Sequence, residues 1–162
     1  MPEPKFTKDS QVTMIELVLP NDTNVMNNLL GGRLMHWMDI ATAMAAAKHC
    51  NRIAVTAAVD KLTFHTPIKL GEIVTLKASV NRVFRTSMEV GVRVEAEDIE
   101  TGGIRHANSA YFTFVGVDKI TGKKVEVPPI KPATPEEIRR FEEALERRNQ
   151  RLAMKQPDKS KN

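Results

Sequence analysis

Between Thr86 and Asp98, apolar and charged residues alternate with a period of two: Met88, Val90, Val92, Val94 and Ala96 share one side, and Glu89, Arg93, Glu95 and Glu97 the other. That is the signature of a strand with one buried face. Three more stretches between Ile53 and Val117 predict strands. Ile53 to Phe64 is rich in β-branched residues, Glu72 to Phe84 follows a Lys69-Leu70-Gly71 turn, and Ala107 to Val117 follows Thr101-Gly102-Gly103. The short connection at Arg85 joins Glu72–Phe84 to Thr86–Asp98 as an antiparallel hairpin. An earlier strand runs from Gln11 to Leu19 and ends at Pro20-Asn21-Asp22.

From Arg33 to about His49 the pattern changes. Leu, Met and Ala dominate, Gly and Pro are absent, and apolar residues fall on nearly every face, which predicts a helix surrounded by other structure. Its alanines allow close backbone approach, as a curved sheet wrapped around a helix requires. A strand, a long central helix and four further strands predict an α+β domain with one antiparallel sheet. Val125 to Pro135 contains four prolines and predicts a spacer without regular structure. Thr134 then caps a helix, Pro135 opens its first turn and Glu137 completes the box. This helix should reach about Arg151, grip the body through Ile138, Phe141, Ala144 and Leu145, and lie at the periphery. Lys155 to Asn162 should fray. The expected division is a domain over residues 1–122, then spacer, helix and tail over 123–162.

A chain of 162 residues suits one domain with a substantial core. The single Cys50 cannot close an internal bridge. Met1-Pro2-Glu3-Pro4-Lys5 lacks the apolar run of a secretory signal, and Ala43 to Ala47 is too short to span a bilayer. A soluble, cytoplasmic protein without a membrane partner is expected. The net charge of +4 resides entirely in residues 123–162, because residues 1–122 balance acid and base. With aromatic residues at only 5%, this argues against a nucleic-acid partner.

Asp39 is the one charged residue deep inside the greasy helical stretch, with no Lys or Arg three or four positions away. A buried carboxylate needs compensation, from a substrate, a water or a neighbouring subunit. Upstream, Asn24 lies in an asparagine-rich loop leading to Gly31-Gly32. Loop amides and a helix N-terminus provide positive potential for an oxyanion. Asn24 can donate to a carbonyl, and Asp39 can activate water or attack directly; these are parts for acyl transfer to water. Alternatively, Asn24 caps its own turn, Asp39 pairs with His36, and the glycines merely start a closely packed helix. No glycine-bracketed serine, phosphate loop or dinucleotide fingerprint is present, and the four histidines lack metal-ligand spacing, so no metal or cofactor is expected.

Several segments carry a resemblance: Leu17-Val18-Leu19-Pro20-Asn21-Asp22-Thr23-Asn24, Leu30-Gly31-Gly32, Leu34-Met35-His36-Trp37-Met38-Asp39, Val55 to Phe64, Pro67 to Glu72, Thr86 to Val90 and Ala110 to Val115. Across about residues 12–119 the chain resembles the acyl-CoA thioesterases of the hotdog fold. The resemblance implies an antiparallel sheet wrapped around a central helix, with the C-terminal helix peripheral. It also implies a homodimer with sheets joined edge to edge, commonly as a trimer of dimers. Asn24 and Asp39 then fall on the family's catalytic positions, contributed by opposite partners, with a backbone N–H near Gly32 helping to polarise the thioester carbonyl. Coenzyme A would enter as part of substrate and product rather than as a cofactor. Arg85, Thr86 and Ser87 match the turn expected to contact its nucleotide. Gly31, Arg33 and Lys61 are further binding candidates, Arg82 and Arg105 could add charge, and Met38 and Met44 could line an acyl tunnel. Two rival readings remain: a thioester dehydratase using His36 or His65 as base, and a non-catalytic acyl-CoA-binding module.

Overall fold

In chain order the elements are β1 (Lys5–Phe6), β2 (Val12–Leu17), α1 (Gly31–Cys50), β3 (Ile53–Asp60), β4 (Ile73–Phe84), β5 (Ser87–Glu97), β6 (Ile104–Val117), β7 (Ile130–Lys131) and α2 (Pro135–Met154). They come from a computed structural model that describes residues 2–60, 62–64 and 66–155. The main sheet has the order β2-β4-β5-β6-β3, and all its pairings are antiparallel. Its inner face is the predicted apolar row of β5 continued by Val74, Leu76 and Val80 of β4 and Ala110, Phe112 and Phe114 of β6. This face curls around α1. Ala41, Ala45 and Ala46 are fully buried there, so strand and helix backbones come close without side-chain collision. Burying Met38, Phe112 or Phe114 stabilises the fold by about 1.5–3 kcal/mol each.

Several sequence expectations need correction. First, α1 begins at Gly31 rather than Arg33, so both glycines belong to its first turn. Second, α1 is not surrounded within one chain. Leu34, Trp37, Met38, Ala41, Ala45 and Ala46 form a buried stripe, while Met35, Ile40 and Met44 on the other side are exposed. Third, the proline-rich segment contains a strand. Ile130 and Lys131 of β7 pair in parallel with Lys5 and Phe6 of β1, a two-residue ladder too short to leave a periodic pattern. Another strand ends early: β3 stops at Asp60, short of the expected Phe64.

Helix α2 starts as expected, with the Thr134 side chain accepting from the Glu137 N–H at 3.1 Å. It packs on the outer face of the sheet, through two of the four expected residues, Phe141 and Ala144, and through one that was not expected. Ile138 and Leu145 are largely exposed, whereas Ala144 and Arg147 are buried. The Arg147 guanidinium makes a two-pronged contact with Glu89, Nε to Oε2 at 3.0 Å and Nη2 to Oε1 at 2.7 Å. It also stacks 3.6 Å from the Tyr111 ring. Asn81 donates to Glu89 at 3.0 Å, completing the satisfaction of a carboxylate that the alternation had placed in solvent. Among the described residues, no helix is long and apolar enough to cross a membrane.

Candidate active site

The loop before α1 is built by its asparagines. Asn24 Oδ1 accepts the N–H groups of Met26 at 2.9 Å and Asn28 at 3.2 Å, while Asn27 takes a left-handed conformation at φ 57°. The turn reading of Asn24 is therefore correct for its oxygen. It also has a chemical consequence: with Oδ1 committed, Nδ2 has no protein partner among the described residues and remains a donor. The loop is anchored by Leu29 N–H to Ile68 O at 2.6 Å, Leu70 N–H to Asn27 O at 2.9 Å and Leu30 N–H to Asp22 O at 2.8 Å.

Leu30 precedes α1 without a side-chain cap, and the first turn-closing bond runs from Leu34 N–H to Leu30 O at 3.1 Å. The N–H groups of Gly31, Gly32 and Arg33 consequently have no helical acceptor. Gly32 is exposed, and a Cβ there would meet nothing within 4 Å. At Gly31 a Cβ would lie 3.3 Å from the Phe64 ring, so this glycine permits close approach of Phe64 to the helix start. A cavity of about 230 Å³ opens beside these groups, lined by Asn24, Gly31, Leu34, Phe64, Ile68 and Asn108 among others.

Asp39 lies elsewhere. Eight residues beyond Gly31, it is about 12 Å along the helix axis from that end. It is half-buried rather than deep in the core, and Thr56 Oγ1 donates to its Oδ1 at 2.7 Å. Thr56 was not singled out from the sequence. It belongs to the edge strand β3 at a bulge, where the register with β6 shifts between Thr56 and Ala58. Bulges re-aim side chains, and no feature of Val55-Thr56-Ala57 announces one. Within a single chain the structure brings Asn24, Gly31 and the helix N-terminus to one cavity; Asp39 and Thr56 stand outside it.

The remaining sequence candidates divide. Arg33 forms an ion pair with Asp22 at 3.2 Å, tying helix to loop. Arg85 has a left-handed backbone (φ 53°) at the β4–β5 turn with Thr86 and Ser87; it is highly exposed and lies 3.7 Å from Glu126. Ser87 Oγ donates to Phe84 O at 3.4 Å. Arg82 is committed to α2, donating to Phe141 O at 3.1 Å and stacking on its ring. Arg105 is committed to Glu72 and Pro67. Lys61 and His65 lie outside the described residues, and His36 is exposed on α1. Met38 is wholly buried in the core and Met44 is exposed; neither lines this cavity.

A profile of the Thioesterase superfamily matches residues 26–102. Protein VdlD of Helicobacter pylori is 41% identical over 150 residues, which are 90% of this chain and 85% of that one. The uncharacterized acyl-CoA thioester hydrolase YkhA of Bacillus subtilis is also 41% identical, with 93% and 87% covered. The rat cytosolic acyl coenzyme A thioester hydrolase is 36% identical, but only 41% of its length is spanned. Among solved structures, the acyl-CoA hydrolase of Bacillus cereus superposes with a TM-score of 0.90 at 33% identity, covering 94% of this chain and 93% of that one. A Staphylococcus aureus acyl-CoA hydrolase in complex with butyryl coenzyme A gives 0.86 at 33% identity, with 93% and 91% covered. An apo-hexameric acyl-CoA thioesterase gives 0.90 at 34% identity, with 94% and 97% covered. Solved alanine variants of the Staphylococcus aureus hydrolase replace an asparagine, an aspartate and a threonine whose separations along the chain equal those of Asn24, Asp39 and Thr56 here.

Proposed function

Because this chain belongs to the thioesterase superfamily, we propose that Asn24, Asp39 and the backbone N–H of Gly32 carry out its reaction. The protein is a hotdog-fold acyl-CoA thioesterase, hydrolysing an acyl-CoA ester to the free acid and coenzyme A. In the proposed step, Asp39 takes a proton from water as the water oxygen attacks the thioester carbonyl carbon. The negative charge that develops on the carbonyl oxygen is received by Asn24 Nδ2 and the Gly32 N–H, both of which are free to donate. Collapse of the tetrahedral intermediate breaks the carbon–sulfur bond, and the thiolate takes up a proton. Direct attack by Asp39 would use the same donors. Coenzyme A participates only as part of substrate and product, and the chemistry assigned to these residues needs no cofactor. Nucleotide contacts are assigned to Arg85, Thr86 and Ser87, with Lys61 adding charge for the phosphates and Gly31 and Arg33 contacting the pantetheine.

The observation that carries this reading is the separation of the two halves of the site. Asn24 and the uncapped helix start share one cavity, whereas Asp39 and Thr56 sit beside the free edge of the sheet. A second chain pairing along β3 would supply the missing half. Two features support such a homodimer: exposed Ile53, Val55 and Val59 on that edge strand, and exposed Met35, Ile40 and Met44 on the uncovered side of α1. A trimer of such dimers agrees with the hexameric neighbour, and a cytoplasmic location with the cytosolic relative. The test is free-thiol release from short, medium and long acyl-CoA esters by the native protein and Asp39→Asn. Loss of turnover with coenzyme A affinity retained is expected; an undiminished rate in the variant would overturn the assignment.

A further inference from the structure

The inward-facing positions on β6 are Asn108, Ala110, Phe112 and Phe114. Their cross-strand partners Val94, Val92, Val90 and Met88 are all apolar and buried. Asn108 is thus the polar member of an apolar row, and it is only 7% exposed. A register shift just before it, with Ala107 as the extra residue, places it where the sheet opens onto the cavity that contains Asn24 and Gly31. Its Oδ1 accepts the Ser109 N–H at 2.8 Å, which fixes the orientation of the amide. The Nδ2 group then has no protein partner among the described residues. This donor is open to the cavity, and a ligand that covers it must accept from it or leave it unsatisfied.

We infer that Asn108 is a specificity-determining residue that donates from Nδ2 to an oxygen on the substrate's acyl group, selecting hydroxy- or oxo-acyl esters over plain alkyl esters. The inference rests on the thioesterase reading of this cavity. The cavity wall is mixed: Asn24, Asn28 and Thr66 are polar, and Leu29, Leu34, Phe64 and Ile68 offer surface for hydrocarbon. An alkyl chain lying there would strip the amide of water and return no acceptor. A chain bearing a hydroxyl or carbonyl oxygen would satisfy it. Sites built to hydrogen-bond a substrate group discriminate strongly against analogues that lack it.

The experiment compares kcat/KM for 3-hydroxyacyl-, 3-oxoacyl- and saturated acyl-CoA esters of equal length, with the native protein, Asn108→Leu and Asn108→Asp. Leucine matches the shape of asparagine without its polar groups; aspartate keeps an acceptor for the Ser109 N–H and removes the donor. Expressing each variant relative to the native protein on the same ester cancels intrinsic reactivity. Both variants should lose about ten-fold or more on oxygenated esters relative to saturated ones. An equal loss on every ester, or a preference that persists in both variants, would overturn the inference while leaving the thioesterase reading intact. Failure of the native protein to hydrolyse any of the esters would instead sink that reading.

Discussion

Asp39 and Asn24 stood out in the sequence as candidates because few other groups in the chain could perform the proposed chemistry, but their surroundings were not legible. The expectation of a deeply buried carboxylate failed because α1 has one uncovered side, on which Asp39 is only half-buried. Its stabilising contact is a hydroxyl from another element, Thr56 at 2.7 Å. That hydrogen bond holds one carboxylate oxygen and leaves the other for water. Thr56→Val should lower kcat about ten-fold or more with little change in KM, since hydrogen bonds to charged groups contribute about 1.5–3 kcal/mol. Thr56→Ser should restore most of the rate, which steady-state thiol release can measure. Asp39→Asn should cost more, about 10²–10⁴-fold, the usual contribution of a general base. Asn108 was readable in principle as a polar residue in phase with Ala110, Phe112 and Phe114, but the bulge at Ala107 breaks the alternation just before it, so the residue sits at the end of the regular pattern.

At the scale of elements, the strong periodicities gave the main strands and α1 to within a few residues, and the exceptions share a physical cause. Glu89 follows the polar alternation of β5 yet is 2% exposed, because α2 covers that face. A period of two reports which side a residue faces, not whether another layer lies over it. The charged α2 was expected to grip through apolar residues alone; Phe141 and Ala144 do pack, but Ile138 and Leu145 do not, and Arg147 adds a buried ionic anchor. Burial is the largest single influence on this guanidinium and works against its charge; the hydrogen bonds to Glu89 together with electrostatic attraction from Glu89, Tyr111 and Glu143 outweigh it, holding the pKa above the ordinary value. Arg147→Met leaves Glu89 buried and unpaired and should destabilise the fold by about 3–5 kcal/mol. Adding Glu89→Gln to that variant should recover a large part of the loss, as urea denaturation would show. His49 supplies a second case, at the other end of α1. Its Nε2 lies 2.6 Å from Pro128 O, pinning the proline-rich segment, and its buried Nδ1 has no partner among the described residues. Burial lowers its pKa against the raising effect of the Pro128 contact, so the folded state holds it neutral. The unfolded chain protonates first as pH falls below about 6.5, and the stability contributed by neutral His49 is lost from there down to its folded pKa. His49→Phe should flatten this part of the stability–pH curve measured by denaturant midpoints.

For the whole molecule, the sequence held more information about assembly than a single chain can satisfy. The all-round apolar pattern of α1 predicted a surrounded helix; one chain covers half of it, leaving Met35, Ile40 and Met44 exposed beside the free strand β3. The pattern and the fold agree if a second copy covers the rest. Placing Lys at Val55 should then weaken assembly and lower activity together, with the loss smaller at high protein concentration, as light scattering and thiol release would show. The sharper test follows from the divided site. Asn24→Ala and Asp39→Asn chains should each be inactive alone. If every site takes Asn24 from one chain and Asp39 from its partner, a mixed dimer has one site with both defects and one with neither. Random reassortment of equal amounts makes half of the dimers mixed, so the mixture should regain about a quarter of native activity. Sites formed within single chains would regain none, because each chain would carry its own defect into its own site.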